Sequence, residues 1–125
     1  MIPDIISEKD PKGIRITCSE KQWKEHIISG HPIMKENLEA VIDTIKSPNY
    51  IYESKDSDPP DSFRLLYTKS ATSATYYSKG VHTRVVVNID GGYGTVVTAY
   101  PVKQFTSGIK EGKEAIYIAE RYDET

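Results

Sequence analysis

Three histidines, His26, His31 and His82, are the side chains of this sequence best suited to moving a proton near neutral pH. His31 precedes Pro32 at the expected start of a helix. Free backbone N–H groups and the helix dipole there disfavour a protonated imidazole and attract oxyanions. A histidine kept neutral in that place is suited to general-base work. His26 follows Trp23 by three residues and reads as a boundary position between core and solvent; His82 reads as an exposed strand position. Two residues beyond His82, Arg84 can meet the segment Thr98-Ala99-Tyr100 across a hairpin. A turn of three or five residues puts Arg84 opposite Tyr100 and Val86 opposite Thr98, whereas a turn of two or four flips that parity. The plainer reading of Arg84, Thr98 and Tyr100 is a polar outer face of the sheet.

Other chemistries find little support. His26 and His31 are separated by a Gly-His-Pro break rather than the i, i+4 spacing of a helical zinc pair, no HExxH occurs, and Glu25 and Glu36 add only oxygen donors. No metal and no cofactor is expected. Cys18 is the sole cysteine, which excludes an intramolecular disulfide and a Cys-rich zinc site, and it reads as a small buried residue. GxSxG, Walker A and GxGxxG are absent. Gly91-Gly92-Tyr93-Gly94 lies between two strand-like runs and reads as a hairpin loop rather than a phosphate cradle.

The elements that must position these groups follow from periodicity. Ser19 and Gln22 have the spacing of a helix N-cap, Trp23 and Ile27 share a face, and Gly30 is a natural stop. Pro32 opens a second helix, whose apolar stripe is Met34, Leu38, Val41, Ile42 and Ile45 and whose end is Ser47-Pro48-Asn49. The period then changes to two. Tyr50 to Tyr52, Phe63 to Thr68, Thr72 to Tyr77, Val81 to Ile89 and Thr95 to Tyr100 read as strands, with Val81, Thr83, Val85, Val87 and Ile89 on one face and His82, Arg84, Val86 and Asn88 on the other. Helices followed by strands argue an α+β domain. The expected architecture is two N-terminal helices packed on one face of a four- to five-stranded antiparallel sheet, with the opposite face partly open. Residues 1–13 read as an arm, 14–103 as the domain and 104–125 as an extension.

The 125 residues fit one domain. No apolar run approaches the ~18 residues of a membrane helix, and the acid-bearing start lacks the apolar core of a secretory signal, so a cytoplasmic protein is expected. Residues 62–110 hold six Lys and Arg against the single acid Asp90, while the flanking segments are net acidic. A basic sheet face suits a polyanion; the plainer reading is a solvated charge run.

The stretch Trp23-Lys24-Glu25-His26-Ile27, then His31-Pro32, then Leu38 with Val41-Ile42-Asp43-Thr44-Ile45 and Pro48, resembles the phage-associated branch of the barnase/EndoU/colicin/RelE-like nucleases. So does the ending, Arg84-Val85-Val86-Val87 followed by Gly94-Thr95-Val96-Val97-Thr98-Ala99-Tyr100-Pro101. The resemblance covers about residues 14–103; Ile33 departs from the acidic residue that many relatives carry after the His-Pro pair. It implies a metal-independent endoribonuclease, used as a toxin or in phage and mobile-element conflict, acting on single-stranded RNA or tRNA and restrained by an acidic inhibitor or antitoxin protein. The implied catalytic positions are His26, His31, Arg84, Thr98 and Tyr100, the two histidines serving as base and acid. Arg84 would clamp the phosphate with Lys79 or Arg64, and Tyr76 and Tyr77 beside Lys79 would stack unpaired bases. The alternative expectation is an RNA- or protein-binding module on the same fold, without catalysis.

Overall fold

The structure, a computed structural model, describes residues 3–70 and 81–119. Seven strands form one sheet: β1 (Asp4–Lys9), β2 (Arg15–Ser19), β3 (Tyr50–Glu53), β4 (Arg64–Ser70), β5 (His82–Asp90), β6 (Tyr93–Val102) and β7 (Tyr117–Ile118), in the spatial order β1-β2-β6-β5-β4-β3-β7. Neighbours are antiparallel except β2 and β6, which run parallel. The helical segment lies between β2 and β3. It comprises a single α turn, α1 (Glu20–Gln22), a π-helical stretch over Trp23–Ile28, a 3-10 helix over Pro32–Glu36, and α2 (Leu38–Lys46).

This corrects the expected fold. A four- to five-stranded antiparallel sheet behind two N-terminal helices is replaced by a seven-stranded mixed sheet, and the chain opens with a hairpin. The segment read as an arm contains β1, between Pro3 and Pro11, with Ile6 buried as its anchor. The segment read as an extension returns to the sheet as β7, beside β3. The second helix is broken where Asn37 closes the 3-10 segment, its side-chain amide donating to the Ile33 carbonyl at 2.7 Å, and α2 starts afresh at Leu38. The Thr72 to Tyr77 strand lies outside the described residues.

The local signals at the first helix do hold. Ser19 Oγ accepts the Gln22 amide at 3.0 Å, and Trp23 and Ile27 are buried. With Met34, Val41 and Ile45 they pack on the inner face of the sheet against Ile16, Ile51, Leu65, Val85, Val87 and Ala99. The sheet curls around this layer. Tyr67 of β4 donates its hydroxyl to Asp10 Oδ2 at 2.5 Å, and Asp10 follows β1, four positions away in the strand order. Four interstrand steps span roughly 19 Å when flat, beyond any tyrosine's reach. Asp10 Oδ1 also accepts the amides of Lys12 and Ile14, so the buried carboxylate fixes the β1–β2 turn as well.

The β5–β6 hairpin sets the register of the sheet centre. Its turn is Gly91-Gly92, with φ of +59° and +89°, and Asp90 pairs with Tyr93. Both turn positions need the left-handed region that glycine tolerates. This two-residue turn gives the parity Ile89 opposite Gly94 and Val87 opposite Val96, contrary to the longer turn that would place Val97 opposite Val87. A bulge then inserts Val97, and the parity flips, so that Val86 faces Thr98 and Arg84 faces Tyr100.

Gly94 is where β2, β5 and β6 close most tightly. A Cβ there would lie 2.8 Å from Val87 Cγ1, 3.0 Å from Ile16 Cγ1 and 3.2 Å from Ile89 Cδ1. We expect Gly94→Ala to destabilise the fold by about 1–3 kcal/mol, the usual cost of overpacking, read as a lower urea midpoint with unchanged m-value.

Candidate functional site

Alternation along the strands places one set of polar side chains on the outer face, opposite the one that packs on Trp23, Ile27, Val41 and Ile45. Thr68 and Ser70 of β4 stand opposite Arg84 and His82 of β5, and Tyr100 of β6 stands opposite Arg84 from the other side. Tyr50 and Tyr52 of β3 pair with Thr68 and Leu66, continuing the same face.

Arg84 is the centre. Its side chain is only 1% exposed. Nε donates to Thr68 Oγ1 at 2.8 Å, Nη1 to the Ser107 carbonyl at 2.5 Å and Nη2 to the Phe105 carbonyl at 2.5 Å. Burial pulls the guanidinium below its ordinary range, and the neighbouring Tyr100 hydroxyl acts in the opposite direction. No carboxylate among the described residues forms an ion pair with it. The outer face is therefore not open at this point, contrary to expectation: residues 103–110 cross it as a strap. Gly108, at φ +81°, lies close enough that an added Cβ would stand 3.6 Å from Arg84 Nη1 and 3.7 Å from Leu66 Cδ1. Phe105 stacks on Tyr50 with centroids 4.7 Å apart and planes 14° from parallel.

Of the expected site residues, His31 and Tyr100 join Arg84. The His31 and Tyr100 rings lie 5.1 Å apart at 30°. His31 is the N-cap of the Pro32–Glu36 segment, but that segment is five residues of 3-10 helix, with less dipole than the long helix assumed from sequence. Thr98 is half-buried on the same face, opposite Val86. His26 stands apart: it is exposed on the π-helical stretch, and among the described residues no side-chain contact links it to Arg84, Tyr100 or His31. Arg64 shares the outer face, but four residues separate it from Thr68 along β4, roughly 13 Å. It does not clamp together with Arg84, and its Nε is buried without a hydrogen-bond partner among the described residues. Lys79, Tyr76 and Tyr77 lie outside the described residues.

His82 is the member that sequence reasoning passed over. It is half-buried, its Nδ1 lies 3.1 Å from Ser70 Oγ, and its ring meets Phe105 edge-on at 6.3 Å. Burial lowers its pKa below the ordinary 6.5, and the nearby Arg84 charge lowers it further. The signal was its i, i+2 relation to Arg84, which puts both on one face. Cys18, in contrast, is inert: burial, aided by the Asp4 charge, pushes its thiol up to about 12.

The strap is fastened on one flank. Lys55 donates its amide to the Gly108 carbonyl at 2.8 Å, and the Lys110 amide donates to the Glu53 carbonyl at 2.9 Å. Lys110 Nζ lies 3.2 Å from both Glu53 Oε2 and the Ser57 carbonyl. Burial of Glu53 opposes its ionisation, but hydrogen bonds from Lys110 and Ser57 and the charges of Lys110 and Lys113 prevail and hold its carboxyl below the ordinary range.

Among the described residues, no group of three or more His, Cys, Asp or Glu side chains could hold a metal ion, and no helix is long and apolar enough to cross a membrane. Comparison with protein-family models, curated proteins and solved structures finds no match to this chain.

The depressed pKa of His82 has a pH signature. The folded state binds its proton less readily than the unfolded chain, so this stabilisation is present above 6.5 and is lost as pH falls below 6.5 through the folded value. Urea unfolding between pH 7.5 and 5.5 should show the wild type losing stability more steeply than His82→Gln. One proton caps the difference in slope at about 1.4 kcal/mol per pH unit.

Proposed function

We propose that this protein is a metal-independent endoribonuclease acting on single-stranded RNA or tRNA at the outer face of the sheet. The observation that carries the reading is the contact of the His31 ring with Tyr100, which stands directly opposite a buried Arg84 of β5 that has no ion-pair partner among the described residues. An imidazole, a phenol and a guanidinium in sequence are the groups that cleavage by the RNA's own 2′-hydroxyl requires.

In this reading His31 takes the 2′-hydroxyl proton as the O2′–P bond forms and the P–O5′ bond breaks. The products are a 2′,3′-cyclic phosphate and a 5′-hydroxyl. Arg84 stabilises the charge that develops on the phosphorane oxygens, Tyr100 supplies the proton for O5′, and Thr98 orients the phosphate. His26, exposed and apart, has no role as the second catalytic histidine. The basic bias of residues 62–110 favours a polyanionic substrate, and an acidic inhibitor would restrain such an activity in a toxin or mobile-element setting.

The second reading, a binding module without catalysis, is favoured by a different observation. Both η nitrogens of Arg84 already donate to the carbonyls of Phe105 and Ser107.

The two separate in one assay. Purified protein in EDTA is incubated with labelled tRNA and with a mixed-sequence single-stranded RNA. Cleavage to cyclic-phosphate ends is expected, with a rate loss of roughly 10²–10⁴-fold in His31→Ala and in Tyr100→Phe, the usual range for general acid–base groups. Salt-sensitive RNA binding without cleavage would establish the binding module instead.

A further inference from the structure

We infer that the strap of residues 103–110 occupies an oxyanion site at Arg84, and that the phosphodiester backbone of a single-stranded nucleic acid opens the strap by taking the place of its carbonyls. The inference rests on the ribonuclease reading for the identity of the ligand and adds the regulation of that site.

A guanidinium taken out of water is costly unless its charge is paired, and proteins ordinarily bury it beside a carboxylate. Arg84 is buried with hydroxyls and carbonyls only, and no acidic side chain among the described residues neutralises it. The two carbonyls of Phe105 and Ser107 sit on Nη1 and Nη2. That is the two-oxygen pattern a phosphate presents to an arginine fork, but carbonyls lack the phosphate's charge. An oxyanion in the same place keeps the geometry and supplies the missing charge.

The strap is suited to yield. Its own hydrogen bonds are short-range turns, from the Ser107 amide to Gln104 O at 3.1 Å and from the Ile109 amide to Thr106 O at 3.2 Å. Gln104, Thr106 and Ser107 are exposed, and Phe105 is its half-buried anchor. From Gly108 onward it is fastened by the backbone bonds of Gly108 to Lys55 and of Lys110 to Glu53, and by the Lys110 side chain, which reaches Glu53 and Ser57. Displacing residues 104–108 would bring Arg84, the hydroxyls of Thr68 and Tyr100, and His82 to one surface. Departure of Phe105 would bare the stacked face of Tyr50, a platform that accepts an unpaired base.

The experiment uses an all-deoxy single-stranded oligonucleotide, which has no 2′-hydroxyl and so reports binding apart from cleavage. Amide hydrogen exchange is followed with and without it, in the full chain and in Lys110→Met. Binding should accelerate exchange at Ser107, Ile109 and Lys110. Lys110→Met should bind roughly three- to tenfold tighter, because the open state is more populated before binding. Loss of a cation that simply touched phosphate would weaken binding instead, so the sign of the change is diagnostic. Absent binding, slower or unchanged strap exchange on binding, or weaker binding by Lys110→Met would each overturn the inference. RNA cleavage with an unmoved strap would sink the strap mechanism and leave the ribonuclease reading standing. Strap opening by the deoxy-oligonucleotide with RNA left intact would do the reverse.

Discussion

The buried guanidinium of Arg84 is the constraint around which the sheet is arranged. It stands on β5, between β4 and β6, and each neighbour supplies a hydroxyl directly across from it, Thr68 on one side and Tyr100 on the other. A slip of either strand by one residue would withdraw that hydroxyl and present a side chain of the opposite face. A charge at this depth makes such slips expensive, because an unmet guanidinium donor in the interior costs far more than an unmet neutral one. Hydrophobic alternation decides which face of β5 points at the helices; Arg84 decides how β4 and β6 are registered along it.

The hairpin achieves this registration by an indirect route. Gly91-Gly92 makes a two-residue turn, and an uninterrupted ladder from that turn would bring Ala99 opposite Arg84 and turn Tyr100 toward the core. Insertion of Val97 as a bulge reverses the parity in time for Thr98 and Tyr100 to reach the outer face. The bulge is held from the helical side, where the Gln22 amide donates to the Val97 carbonyl at 2.8 Å. Gln22 itself is anchored through its backbone to Ser19 Oγ. The segment that leads to His31 and the strand that carries Tyr100 are thus tied at one point, which is how residues nearly seventy positions apart come into ring contact.

What the sequence made legible was local. Alternation in Val81 to Ile89 identified the inward set Thr83, Val85 and Val87, and Ser19 with Gln22 identified the first helix cap. The expectation that Arg84 meets Tyr100 was correct for a reason other than turn length. What was not legible depends on distant partners. β1 is six residues between two prolines, and nothing in its own pattern reveals that it borders a strand paired in parallel with β6. Periodicity names a face but not a neighbour. The first helix misled because π geometry bonds i to i+5 and widens each turn, so α-helical spacing does not locate His26 relative to His31. His82 was passed over because its enclosing groups, Phe105 above all, come from a strap with no periodic signal.

The inner face is given over to packing. The curl that lets Tyr67 reach Asp10 wraps the sheet around Trp23, Ile27, Met34, Val41 and Ile45, and that layer is filled by apolar side chains. Its buried carboxylate is fully committed, to one phenol and two backbone amides. The outer face is built on the opposite principle. Among the described residues its buried charge has neutral partners only, and the one acid of residues 62–110, Asp90, is six residues along β5 from Arg84, roughly 20 Å away. Two of the buried ionisable groups, Asp10 and Arg84, are therefore treated differently. Asp10 is met by two amides of its own turn and by the Tyr67 hydroxyl of β4. Arg84 is given hydrogen-bond geometry without a countercharge among the described residues.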